Sequence, residues 1–176
     1  MSPARSIDLN ADLGEATDAE GIATERALLG LITTTHIACG GHAGDEESMT
    51  TTVAAALEHS VRIGAHPSYP DTAGFGRRPM DIDRGELGRS LCDQLSALSK
   101  VCEAAGTTIE SVKAHGALYE EVAKGGAVVA SDGSLLTLWV DTLCVHGDTP
   151  AAVAIATAVR RVMGEAGFEV TAPARA

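Results

Sequence analysis

Aromatic side chains are scarce in this chain: one Trp, two Tyr and two Phe among 176 residues. Its core must therefore be built from Val, Ile, Leu and Ala. Basic residues are outnumbered, 13 Lys and Arg against 24 Asp and Glu, giving a net charge of −11. That balance argues against a nucleic-acid backbone or an anionic membrane as the main partner. No apolar run approaches the ~18 residues of a spanning helix. No apolar segment of the secretory kind follows the early Arg either, so the expected compartment is the cytoplasm. The four cysteines, Cys39, Cys92, Cys102 and Cys144, form no C-x-x-C pair. A zinc ribbon or a thioredoxin-type site is thereby excluded, and all four are expected to pack as small buried hydrophobes. Also missing are a G-x-x-x-x-G-K-[ST] loop, a G-x-G-x-x-G turn at a strand–helix junction and a G-x-S-x-G elbow. Any nucleotide chemistry would have to be met by other means.

What is present is the composition of one soluble domain spanning 1–176, 45% hydrophobic and 21% charged. "SIDLNADLGE" opens with alternating Ile7 and Leu9. "DAEGIATERALLGLITT" reads as a helix, "HIACGG" as a strand, and "EESMTTTVAAALEHS" as a helix that Asp45 can cap. "VRIGAH" is a strand, followed by a long ordered loop, "PSYPDTAGFGRRPMD". Leu87, Leu91, Leu95, Leu98 and Cys102 then form one apolar helical stripe that Gly106 suits as a stop. "TIESVKAHG" is a strand and "ALYEEVAKGG" a short helix. "AVVA", Asp132-Gly133 and "LLTLWV" predict a β-hairpin. "TLCVHGD" ends a strand. The final helix, "TPAAVAIATAVRRVMGEAG", has Asp148 or Thr149 as cap, Pro150 in its first turn and Gly167 at its end. The tail after Phe168 is expected to fray. Strands alternate with helices, which predicts an α/β fold with a mostly parallel sheet.

Five strand ends carry polar bends: "IDLNADLGE", "IACGGHAGD", "IGAHPSYPD", "VKAHGALY" and "LCVHGD". Four place a His just past an apolar stub: His42, His66, His115 and His146. The first supplies Asn10, Asp12 and Glu15. In a parallel α/β fold all these ends lie on one side, where ligands bind. Four of the six histidines at four strand ends is a biased placement; His36 and His59 fall outside it and receive no role. Each part also has a plainer explanation. Asp45 and Asp148 would cap helices in any event, Lys113 and Arg77 would serve as solvated charges, and Tyr69 and Tyr119 as packing. Taken together, His with Asp offers acid–base chemistry near neutral pH. Alternatively, Asp with two or three His would hold a divalent metal. Without an H-E-x-x-H helix, metal ligands would have to come from separate strands.

The segments "IDLNADLGE", "IACGGHAGD", "GAHPSYPD", "GFGRRPM", "VKAHGALY" and "LCVHGDTPAAV", in this order, resemble the LamB/YcsF family, the A component of bacterial ATP-dependent 5-oxoprolinase. The resemblance implies a (β/α) barrel of the glycoside hydrolase/deacetylase type. It implies ATP-dependent hydrolytic opening of 5-oxoproline to glutamate with B and C subunits, ATP being handled by those partners. The positions it carries over are Asn10, Asp12, Glu15, His42, Asp45, His66, Tyr69, Arg77, Lys113, His115, Tyr119, His146 and Asp148. Of these, Asp12, His42, Asp45, His66, Lys113, His115, His146 and Asp148 are the catalytic candidates. Asn10, Glu15, Tyr69, Arg77 and Tyr119 are the substrate-binding ones. The chain departs from the family at His36 (usually Asn), Gly41 (Phe), Glu46 (Pro) and Ala114 (Pro). It is also short: a full barrel takes about 250 residues, and strand–helix units are missing after about Gly125. The expected barrel is therefore incomplete, and a homo-oligomer or another chain is a candidate to cover the gap. Two further readings stand beside the first: a metal-dependent deacetylase-like hydrolase using Asp12, and a non-catalytic, internally deleted chain.

Overall fold

The computed structural model describes residues 5–123 and 141–173. Strands and helices alternate along the chain: β1 (Arg5–Leu13), α1 (Ala19–Leu29), β2 (Thr34–Ala38), α2 (Glu46–Glu58), β3 (Arg62–His66), α3 (Arg84–Ala104), β4 (Ser111–Val112), α4 (Gly116–Ala123), β5 (Thr142–His146), α5 (Ala152–Glu165) and β6 (Phe168–Val170). The sheet runs β4-β3-β2-β1-β5, with β6 pairing the start of β1, and every pairing is parallel. Among the described residues β4 and β5 are edges, so the arc is that of an open barrel.

Strand alternation explains where the site lies. Ile7, Leu9, Ala11 and Leu13 of β1 are buried, and the last three pack in the main core with Leu28, Leu29, Val53, Leu98 and Ala156 from the helices. The intervening Asp8, Asn10 and Asp12 are buried too, so β1 has an apolar face toward the helices and a polar face toward the arc's interior. The other strands follow suit. Ile37, Ile63 and Val145 join the core, while His36 and His146 stand beside Asp12 in register. Asp8 on this polar face is satisfied from within: it accepts hydrogen bonds from the hydroxyls of Thr33, Thr34 and Thr142.

Local signals place most elements. Asp45 accepts from the Ser48 amide while the Ser48 hydroxyl accepts from the Asp45 amide, a reciprocal cap for α2. Gly106, at φ +74°, follows α3 as expected. The α3 stripe divides between two clusters. Leu98 and Cys102 are sealed in the main core, while Leu87 and Leu91 pack on a smaller cluster of Tyr69, Ala117 and Leu118. Truncating Leu98 to Ala would cost about 2–5 kcal/mol by loss of transfer energy and the cavity left behind.

Several expectations are corrected. Neither Asp148 nor Thr149 caps α5. Its cap is Ala151, in a left-handed conformation with φ 63° and no side-chain bond, so Pro150 precedes the helix. The tail past Phe168 pairs in parallel with β1 as β6. β4 is only two residues long. Cys92 and Cys144 are exposed, whereas Cys39 and Cys102 are buried. The predicted hairpin lies outside the described residues.

Candidate active site

The strand-end side chains do converge, in two adjoining layers. The inner layer holds His42, His66, His115 and Glu15. The His42 and His115 rings stack with centroids 3.7 Å apart, and His66 meets His115 edge-on at 4.8 Å. Glu15 Oε1 lies 2.8 Å from His42 Nε2. His66 Nδ1 donates to the Lys113 carbonyl at 2.7 Å, and His115 Nε2 donates to the Phe75 carbonyl at 2.9 Å. Burial, then the neighbouring His42 and His66, push the His115 pKa down to about 4. All three imidazoles are buried.

The outer layer is centred on Asp12. Its carboxylate pairs with the Lys113 ammonium and lies 3.0 Å from His146 Nδ1 and 3.3 Å from His66 Nε2. Burial opposes its ionisation. The hydrogen bonds of His146 and His66 and the charges of His66 and Lys113 outweigh that and hold the carboxyl well below the usual carboxylate range. The His146 pKa is raised, chiefly by its hydrogen bond to Asp12. For Lys113, burial works against the charge, but Asp12 carries its pKa above the ordinary lysine value. Asn10 Oδ1 accepts from Lys113 Nζ at 3.2 Å, while its amide donates to Thr142 and to the Leu143 carbonyl. Asn10 thus braces Lys113 from beneath. The outer layer opens on a cavity of about 630 Å³ lined by His66, Arg77, Lys113, His115, Tyr119 and His146 among others.

The remaining candidates divide. Arg77 and Asp148 pair with each other at the mouth, both exposed. Tyr119 is exposed on the cavity wall. Tyr69 is buried in the smaller core cluster, a packing residue rather than a substrate contact. Asp45 is likewise not brought into the centre; its bonds are with Ser48 of its own helix.

Four contributors carry no role in the sequence reading. Cys144 Sγ accepts from Lys113 Nζ at 2.9 Å, and burial followed by the Asp12 charge pushes its thiol up to about 11. Its place between Leu143 and Val145 in an alternating strand carried the signal: those two face the core, so Cys144 faces inward. Glu25 of α1 accepts from the amides of Gly14, Glu15 and Ala16 and so fixes the loop bearing Glu15; no local motif marks it. Phe75, at φ 53°, sets its ring edge-on to His42 and His115 and its carbonyl on His115. His36 stands beside Asp12 in register, with Nε2 3.2 Å from the Ser111 hydroxyl. Burial, then the Lys113 charge, lowers its pKa to about 4. At Gly41, where the family resemblance predicts Phe, an added Cβ would come within 2.4 Å of Gln94 Oε1 and Ser68 Oγ. The buried Gln94–Ser68 hydrogen-bonded pair fills that space instead.

The model of the LamB/YcsF family matches residues 7–127 and 121–176. The chain belongs to the LamB/YcsF family. Its two matched pieces meet where the sequence predicts the missing units. A relative from Pseudomonas syringae pv. tomato, named as one of the A subunits of 5-oxoprolinase, is 31% identical and aligned over 92% of this chain and 95% of its own length. That alignment spans 243 positions against the 176 residues of this chain, so the relative carries residues absent here. Among solved structures, the lactam utilization protein from Thermus thermophilus superposes with a TM-score of 0.78 at 27% identity, covering 96% of this chain and 100% of that one. A family 4 carbohydrate esterase from Bacillus anthracis shares the fold alone, with a TM-score of 0.55 at 13% identity over 97% of this chain and 81% of its own. No helix among the described residues is long and apolar enough to cross a membrane.

Proposed function

We propose that this chain supplies the ring-opening centre of an ATP-dependent 5-oxoprolinase, working with B and C subunits that handle ATP. The observation that carries the reading is that Lys113 and His146, both on the wall of the 630 Å³ cavity, are joined by the buried Asp12 behind them. The names of its relatives support a lactam as substrate and an assembly of several chains.

The chemistry follows from the geometry. 5-Oxoproline presents a carboxylate and an unreactive cyclic amide. Arg77 at the mouth offers a planar guanidinium for the carboxylate, in competition with Asp148. Asp12 engages His146 Nδ1, which leaves Nε2 to exchange protons within the cavity. The partner subunits transfer the terminal phosphoryl group of ATP to the lactam oxygen, releasing ADP and opening the amide carbon to attack. Water loses a proton to His146 as its oxygen bonds to that carbon. The C–N bond then breaks, the same proton passes to the departing ring nitrogen, and the water-derived hydroxyl loses its proton as it becomes the carbonyl of an acyl phosphate. A second water releases phosphate and leaves glutamate. Lys113, held by Asp12 and Asn10, offsets the negative charge of the phosphoryl group.

In a reconstituted assay with B and C subunits, His146→Ala should lower kcat/KM for 5-oxoproline by roughly 10²–10⁴-fold while leaving the folded structure intact by circular dichroism. A variant with the wild-type rate would overturn the role given to His146.

A further inference from the structure

We propose that Glu15 Oε1, His42 Nε2, His66 Nε2 and His115 Nδ1 bind one divalent cation of the zinc class, which ties together the ends of β1, β2, β3 and β4 beneath the cavity floor. This inference does not rest on the 5-oxoprolinase reading. The four donor atoms all lie within 4.8 Å of one another. Three imidazoles and one carboxylate are a donor set that suits zinc and its neighbours.

The decisive feature is a conflict between two rings. Backbone carbonyls only accept, so the carbonyl of Lys113 requires a proton on His66 Nδ1, and that of Phe75 requires one on His115 Nε2. Rings carrying only those protons point their remaining lone pairs at each other across 3.0 Å, from His66 Nε2 to His115 Nδ1; the alternative to a cation is a second proton on His66, donated to Asp12 Oδ2 3.3 Å away. Two lone pairs at that distance repel unless a cation or a further proton lies between them. Glu15 Oε1 faces the same space, 3.6 Å from His115 Nδ1 and 3.9 Å from His66 Nε2. A tetrahedral zinc ion with bonds of about 2.0–2.2 Å separates its donors by roughly 3.3–3.6 Å. The present spacings, 2.8 to 3.9 Å for the pairs given, bracket that range.

The surroundings match those of a metal centre with one adjustment: the His42 and His115 rings stack with planes 3° apart, so one must tilt to bring both lone pairs onto a single ion. The two carbonyl partners fix the tautomers and orient the rings, as the outer partners of ligating histidines do. Glu25 fixes the backbone that presents Glu15. A second set, Asp12, Cys144 and His146, also gathers donors. Lys113 already sits among them, on Asp12 and 2.9 Å from Cys144 Sγ, and a second cation there would be repelled. Four protein donors fill a tetrahedral shell, so the ion's contribution is to tie the four strand ends together.

The test uses chelated, refilled full-length chain. Titration with ZnCl2 should show one ion per chain, and the melting temperature should rise by roughly 5 °C at a hundredfold excess over Kd. Co2+ should give the intense visible bands of a tetrahedral N/O site without a thiolate charge-transfer band. Glu15→Gln and His115→Ala should each weaken binding at least about tenfold, whereas Cys144→Ala should bind normally. Absence of stoichiometric binding by Zn2+, Co2+ and Ni2+ would overturn the proposal and leave the second proton on His66. A thiolate band in the wild-type protein, or loss of binding in Cys144→Ala, would overturn it in favour of the outer set.

Discussion

The inner and outer layers are built from the same sequence device, a His just past an apolar strand stub, yet they end in opposite environments. His42, His66 and His115 are at most 5% exposed, while the side chain of His146 is 59% exposed. The difference comes from neighbours. His42 follows β2 and His66 ends β3, each with a strand on either side, and His115, though it follows the edge strand β4, is covered by the His42 and Phe75 rings; His146 ends β5, an edge among the described residues. A buried imidazole is held by fixed partners and resists protonation, as His115 does. An exposed imidazole tied at one nitrogen to a carboxylate keeps its other nitrogen for exchange with a ligand. The same motif thus yields a fixed cluster in one place and an acid–base group in another. Asp12 joins the two, touching His66 on one side and His146 on the other.

Removing that joint should have the largest effect. Asp12→Ala leaves the partly buried Lys113 without its counter-charge and should destabilise the fold by about 3–5 kcal/mol, measured by urea unfolding, with loss of turnover. Asp12→Asn is the sharper probe. If kcat/KM for 5-oxoproline depends on neutral His146, its acid limb should lie above the ordinary histidine value of about 6.5. Loss of the carboxylate should then move the limb to lower pH, because Asp12 is what raises it.

Next in size is an acid effect confined to the inner face. The His36 pKa falls from 6.5 unfolded to about 4 folded, so the native state favours its neutral form. Its stabilising contribution is fully present above pH ~6.5 and is lost as pH falls toward ~4, about 3 kcal/mol in all. Urea midpoints for wild type and His36→Asn across that window check it: the wild type should lose more stability than the variant. The smallest effect concerns Cys144. It is exposed, but with a thiol pKa pushed up to about 11 it should alkylate slowly at pH 8 for an exposed thiol. Asp12→Asn should quicken the reaction, since the Asp12 charge is part of what suppresses the thiolate.

Much of this is legible in the sequence because it is local. Alternation in "IDLNADL" sets the two faces of β1, Asp45 and Gly106 mark helix ends, and His repeated at strand ends foretells the convergence. What escapes is set by distant partners. Glu25 acts through amides ten residues away. Tyr69 reads as a pocket residue, but α4 packs Ala117 and Leu118 against it. Asp148 would serve equally as helix cap or ion-pair partner, and the left-handed turn at Ala151 decides for Arg77. Cys144 reads as core because its neighbours are apolar, whereas its parity in the strand points the other way. β6 is illegible because three residues carry too little periodicity to be read as a strand.

The central claim is that a shortened member of this family still carries a working lactam-opening centre. The most direct measurement is glutamate release from 5-oxoproline by the purified chain together with B and C subunits and ATP. Glutamate and ADP should accumulate together, and only when this chain is present. If the complete mixture turns over ATP no faster with 5-oxoproline than without it and releases no glutamate, the claim is wrong.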